Sequence, residues 1–187
     1  MSSTESGART PARVLVLGLG NVLLGDDAVG PAALVRLERD YRVPPQVRLV
    51  EGGTLGLALL DEFAQAEHVI LVDAVATGEP AGTLVRLDGD AVRDAVRERL
   101  SVHQVGVADL LDVARLIGCY PESVVLWGLV PGAIGLGLTR TAAVDDALGV
   151  LVSAIVGEVR DLGYELLAQP RSAADRPIHA LARHFGL

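Results

Sequence analysis

Val14-Leu15-Val16-Leu17, closing in Gly18-Leu19-Gly20-Asn21, is apolar at every position up to its first glycine. A strand with one wet face alternates apolar and polar residues. A run apolar on both alternating faces is what a central parallel strand covered by helices requires. Residues 31–41 follow, with Ala33, Leu34, Leu37 and Tyr41 at helical spacing and Arg36, Glu38, Arg39 and Asp40 on the wet side. Pro44-Pro45 ends that helix.

The pattern then recurs along the chain. Residues 47–50 read as a short strand ending in Glu51-Gly52-Gly53-Thr54, and 57–63 as a helix. Val69-Ile70-Leu71-Val72 is a second doubly buried strand, ending at Asp73. Residues 83–87 read as a shorter edge strand, 91–100 and 104–117 as helices, 123–127 as a strand and 142–162 as a long helix. Strands alternating with helices predict an α/β sandwich around a mainly parallel sheet. No repeat or linker divides the chain. The expected organisation is a flexible leader over 1–12, one α/β domain over 13–163, and a polar, mobile tail over 164–187.

Composition narrows the chemistry. The chain has 187 residues, a formal net charge of −8 and 50% hydrophobic residues, enough for one domain with a substantial core. All 16 basic residues are arginine. The absence of lysine removes a P-loop lysine, a Schiff-base lysine and a Ser–Lys dyad together. The acidic balance disfavours nucleic acid and anionic membrane surfaces as partners. A lone cysteine, Cys119, forms no disulfide within the chain and suits a reducing cytoplasm. Residues 1–13 are polar and do not resemble an export signal. The longest uncharged stretch, 123–139, carries Pro131 and four glycines, and reads as strand then loop rather than a membrane span.

Ligands in open α/β sheets bind beyond the carboxyl ends of the strands. Here those ends carry Gly18-Leu19-Gly20-Asn21 followed by Asp26-Asp27, then Glu51-Gly52-Gly53-Thr54, then Asp73. Any one loop aspartate is more often a helix N-cap or a solvated residue, which is the plain reading of Asp26. Glu51 has a similar reading, as an acceptor of amides in its Gly-Gly turn. Asp73 is different. It follows four aliphatic residues and precedes Ala74-Val75-Ala76, so a charge there needs a cation or hydrogen bonds.

His103, just before an amphipathic helix, adds an imidazole. Two or three carboxylates with one histidine form an oxygen-and-nitrogen set suited to nickel, zinc or manganese. His68 lies at the opposite end of its strand, and His179 and His184 sit in the tail. Gly18-x-Gly20 invites a nucleotide-binding reading, but Leu23 stands where the third glycine belongs, and two acids at the helix entrance would repel a pyrophosphate.

The stretch Gly18-Leu19-Gly20-Asn21-Val22-Leu23-Leu24-Gly25-Asp26-Asp27-Ala28-Val29-Gly30 resembles the opening motif of the hydrogenase maturation proteases. Glu51-Gly52-Gly53-Thr54-Leu55-Gly56, Val72-Asp73-Ala74, Ser101-Val102-His103-Gln104, and Pro131 with Gly135-x-Gly137-Leu138-Thr139 match its later motifs in order. The resemblance implies a three-layer α/β/α sandwich around a twisted five-stranded sheet of the phosphorylase/hydrolase-like type. It also implies an endopeptidase that removes a short C-terminal peptide from the [NiFe]-hydrogenase large-subunit precursor after nickel insertion. The positions matching the family's metal-contacting residues are Asp27, Asp73 and His103. Nickel would be carried by the substrate, and zinc could occupy the same ligands. Two other readings are a nickel-sensing chaperone that does not cut, and a nucleotide-binding α/β module.

Overall fold

Every residue of β1 (Val14–Leu19) is buried, as a strand covered on both faces must be. The computed structural model describes residues 13–53, 56–98 and 102–170; the side chains of 97–105 lie outside that description. In it, β1 is flanked by two parallel neighbours, β3 (Val47–Gly53) and β4 (His68–Ala74). β4 pairs in parallel with β6 (Ser123–Leu129), and β5 (Leu84–Asp88) closes that edge antiparallel to β6. The strand order is β3-β1-β4-β6-β5, a mainly parallel five-stranded sheet.

The apolar run of β1 is divided between two cores. Val14 and Val16 join Ile70 and Val72 beneath α1 (Val29–Asp40) and α5 (Ala142–Asp161). Leu15, Leu17 and Leu19 face the other way, with Val69, Leu71 and Phe63 of α2 (Leu60–Ala64). That second core also takes in α3 (Asp90–Glu98) and α4 (Val102–Leu116), through Val92, Val107 and Leu111. The result is the expected sandwich of three layers.

The antiparallel edge is fastened by a charged cluster. The Arg86 guanidinium on β5 donates to the carboxylate of Glu158 on α5 through Nε at 3.0 Å and Nη2 at 3.1 Å. The indole N–H of Trp127 donates to the same carboxylate at 2.9 Å, and Arg86 lies 5.7 Å over the Trp127 ring. Edge, neighbour strand and helix are thus tied at one point.

Two local outcomes differ from the sequence reading. The helix expected over 57–63 begins as a 3-10 turn, Gly56–Leu59, and only α2 is α-helical. Gly56 has φ +48 and its backbone touches that of Gly106 in α4, so the segment starts tight. The expected tail is fixed at its beginning. Leu166 is buried, and β7 (Leu167–Ala168) pairs antiparallel with β2 (Tyr41–Arg42). The Gln169 amide side chain donates to the carbonyls of Glu38, Arg39 and Tyr41, satisfying acceptors that the end of α1 would otherwise leave orphaned. Residues 1–12 and 171–187 lie outside the described residues. Among the described residues, no helix is long and apolar enough to cross a membrane.

The Arg86 hydrogen bonds hold the Glu158 carboxyl below its ordinary 4.5; burial opposes them and the Trp127 N–H adds to them. A lowered carboxylate stabilises the fold fully above its unfolded value and loses that contribution as pH falls through the folded value. Glu158→Gln is therefore expected to cost about 1 kcal/mol at pH 7. In thermal melts the gap from wild type should close as pH drops below the ordinary glutamate range; a gap independent of pH contradicts the pairing. Gly30→Ala is expected to destabilise by about 1–3 kcal/mol in denaturant titration. The reason is that a Cβ there would run into the backbone of Leu19 and the carbonyl of Val72.

Candidate active site

The same contact at Gly30 builds the site. It brings the first turn of α1 down onto the carboxyl ends of β1 and β4, with no side chain between. Immediately upstream, the 3-10 turn Asp26–Ala28 lies over this junction, in contact with β4. Asp27 is therefore held at the rim, 4% exposed. Its Oδ2 accepts the Asn21 amide at 2.7 Å, while Asn21 Oδ1 accepts the Leu23 amide at 2.9 Å. Gly20, at φ +111, has a Cβ position that would strike the Asp27 carbonyl. Gly18-Leu19-Gly20-Asn21 thus folds the exit of β1 around Asp27. A phosphate would need the Asn21 amide that Asp27 already takes, so the turn does not serve as a nucleotide cradle.

Asp73 stands at the next strand end. It lies within β4 and is 2% exposed, between Val72 and Ala74. Its Oδ1 accepts the Ala74 amide at 2.7 Å. Its partner across β6 is Gly128, whose missing side chain leaves room for the Asp73 carbonyl and Val75. Burial in such surroundings is costly for a carboxylate without hydrogen bonds or a cation.

Glu51 is half-buried on β3, in register with Gly18. The β1–β3 register shifts at Gly18 and Leu19, opposite Gly52 and Gly53, where a Cβ on Gly52 would press on Leu17 and Leu19. Thr54 lies outside the described residues. His103 falls in the first turn of α4, one turn before Gly106, whose backbone meets Gly56 just beyond the exit of β3. Its side chain lies outside the description. Among the described residues, no group of three His, Cys, Asp or Glu side chains forms a metal site.

Asp26 departs from the plain reading of a cap or solvated loop residue. It is fully buried, and its carboxylate reaches the loop after β6. Oδ2 accepts the amides of Gly132 at 2.7 Å and Ala133 at 3.0 Å and the Thr141 hydroxyl at 2.8 Å; Oδ1 accepts the Thr141 amide at 2.6 Å. Burial alone would raise the pKa of this carboxyl, but those bonds prevail and hold it below its ordinary 3.8. Nothing in the local pattern around Thr141 marks it, since the contact spans 115 positions. The loop leaves Ile134, Leu136 and Leu138 exposed, with Leu23 across from it.

The other singled-out residues are remote. His68 Nδ1 lies 2.9 Å from Ser123 Oγ at the opposite strand ends, as its sequence position implies. Cys119 is a free, half-buried thiol between α4 and β6. His179 and His184 lie outside the described residues. The rim therefore offers two buried carboxylates, Asp27 on the 3-10 turn and Asp73 at the exit of β4, oxygen donors suited to a divalent ion or to proton transfer.

The chain matches the hydrogenase maturation protease family over residues 32–158. The hydrogenase 2 maturation protease of Escherichia coli is 33% identical over 162 residues, 86% of this chain and 98% of that protein. The hydrogenase expression/formation protein HoxM of Cupriavidus necator is 38% identical over 141 residues, 72% of this chain and 70% of that one. Among solved structures, the hydrogenase maturating endopeptidase HybD from E. coli aligns with a TM-score of 0.82 at 32% identity, covering 86% of this chain and 99% of that one. Family match, relatives and fold agree: this chain belongs to the hydrogenase maturation protease family and is a hydrolase of the endopeptidase kind.

Proposed function

We propose that this endopeptidase removes a short C-terminal peptide from a [NiFe]-hydrogenase large-subunit precursor once nickel has been inserted. It recognises the substrate-borne nickel through Asp27, Asp73 and His103. The observation that carries this reading is the burial of Asp27 on the 3-10 turn and Asp73 at the exit of β4, an incomplete ligand set in a chain with a single, distant cysteine. A set of two carboxylates and one imidazole leaves coordination positions open for groups that the substrate brings. Exposed Leu23, Ile134, Leu136 and Leu138 beside the rim support a protein rather than a small molecule as substrate. The single thiol suits a reducing compartment, and we place the reaction in the cytoplasm.

In this mechanism Asp27, Asp73 and His103 fix the nickel-bearing segment so that the scissile peptide lies against the carboxylates. Nickel in the substrate supplies the anchor and polarises what it touches. Of this chain's groups, one of the two aspartates takes a proton from the attacking water as the water oxygen bonds to the carbonyl carbon. The carbon–nitrogen bond then breaks, and the proton passes to the departing amine. No lysine or activated cysteine competes for the role.

Purified protein is expected to shorten nickel-loaded precursor and to leave nickel-free precursor intact, as read by intact mass. Equal shortening of both sinks nickel recognition, and unchanged mass in both favours a chaperone. Asp73→Asn and Asp27→Asn are each expected to slow cleavage by about 100-fold or more while keeping the wild-type circular dichroism spectrum. Normal cleavage by either variant removes that residue from the site.

A further inference from the structure

Asp26 and Asp27 are consecutive, yet their carboxylates serve different partners. Four donors converge on the two oxygens of Asp26, from Gly132, Ala133 and both the amide and hydroxyl of Thr141. Three of them converge on Oδ2 and one on Oδ1, so this carboxylate is committed to the 132–141 loop. The backbone reinforces this joint. The Asp26 amide donates to the Ala133 carbonyl at 3.2 Å, the Gly25 amide to the Gly137 carbonyl at 2.8 Å, and the Gly137 amide to the Leu23 carbonyl at 2.9 Å. Residues 132–141 are therefore fastened along Leu23–Asp26, immediately before the residue whose carboxylate faces the rim.

We propose that Asp26 is a positioning residue: by locking the 132–141 loop to the 3-10 turn, it fixes the direction in which Asp27 presents its carboxylate. This rests on the reading of Asp27 as a group that meets the substrate. On its inner side, Asp27 is oriented by the Asn21 amide and by the seating of Gly30 on the sheet. On its outer side, the orienting element is the Asp26 joint. A turn freed on that side keeps its fold but lets the Asp27 oxygens wander. A displacement of about 1 Å at a reacting group is enough to cost about 100-fold in rate. Neighbouring acids thus divide the work, with Asp26 spent wholly on geometry and Asp27 left for chemistry.

Asp26→Asn tests this, because the carboxamide replaces one acceptor oxygen with a donor that meets N–H groups head-on. Thr141→Val removes one of the four donors, and Thr141→Ser restores the hydroxyl. With nickel-loaded precursor, Asp26→Asn is expected to lower kcat by about 10–100-fold with KM little changed. Thr141→Val should fall part of the way, and Thr141→Ser should return to wild-type kcat. Amide exchange at Gly132 and Ala133 should quicken in Asp26→Asn. A purely stabilising joint would lower the melting temperature of these variants while leaving kcat at wild type, and that result overturns the proposal. If Asp26→Asn does not fold, wild-type kcat in Thr141→Val overturns it equally. Wild-type protein inert toward nickel-loaded precursor overturns the proposed function and this inference together; an active wild type with an equally active Asp26→Asn overturns only the role of Asp26.

Discussion

Helix α1 enters the sandwich at Gly30, where its backbone rests on the amide and carbonyl of Leu19 and on the carbonyl of Val72. Everything at the rim descends from that approach. A side chain at this point would lift the helix from the sheet, and the 3-10 turn before it would no longer lie over the exits of β1 and β4. Gly18 contributes from below, since a Cβ there would press into Leu34 and the Gly30 carbonyl. The motif that closes the first strand is thus a packing device as much as a loop. It lets a helix and two strands meet closely enough that a carboxylate from each side shares one surface.

Burying charge is costly, and it persists only where hydrogen bonds or a cation answer it. Asp26 is answered entirely by the protein, through amides and a hydroxyl of a loop distant in sequence. Asp27 and Asp73 each accept a neighbouring backbone amide, from Asn21 and Ala74 respectively. Such bonds orient a carboxylate within its turn or strand. The geometry separates an acid that holds the structure from acids oriented toward the rim.

Much of this was legible in sequence, and for identifiable reasons. The run 14–17 announced a strand buried on both faces, and Asp73 stood out because four aliphatic residues precede it. The edge character of β5 was visible in its alternation, with Arg86 and Asp88 on one side. What escaped has a common cause in long-range partnership. Neither the grip of Asp26 on Thr141 nor the Gln169 cap on α1 leaves a periodic trace, because each joins segments more than 100 positions apart. A two-residue strand such as β7 is equally silent, since its pairing with Tyr41 and Arg42 is fixed by tertiary proximity rather than propensity. The 3-10 start of the segment before α2 lies where Gly56 meets Gly106, a backbone contact that apolar spacing does not report.

The distribution of charge closes the argument. The chain carries 24 acidic residues, and the buried polar or charged residues among those described are Asp26, Asp27 and Asp73. All three lie at the same end of the sheet. At the opposite end, Arg13 and Glu67 are exposed and paired at 2.7 Å. Such surface pairs contribute little and need no special surroundings. A fold seeking stability alone has no reason to gather its buried acids on one rim, where desolvation works against each of them. Hydrogen bonds outweigh that cost for Asp26; two more buried acids beside it, Asp27 and Asp73, suit a cationic centre or a proton transfer. The arrangement is then one in which glycines bring the backbone close, one acid fixes the frame, and two more lie buried beside it.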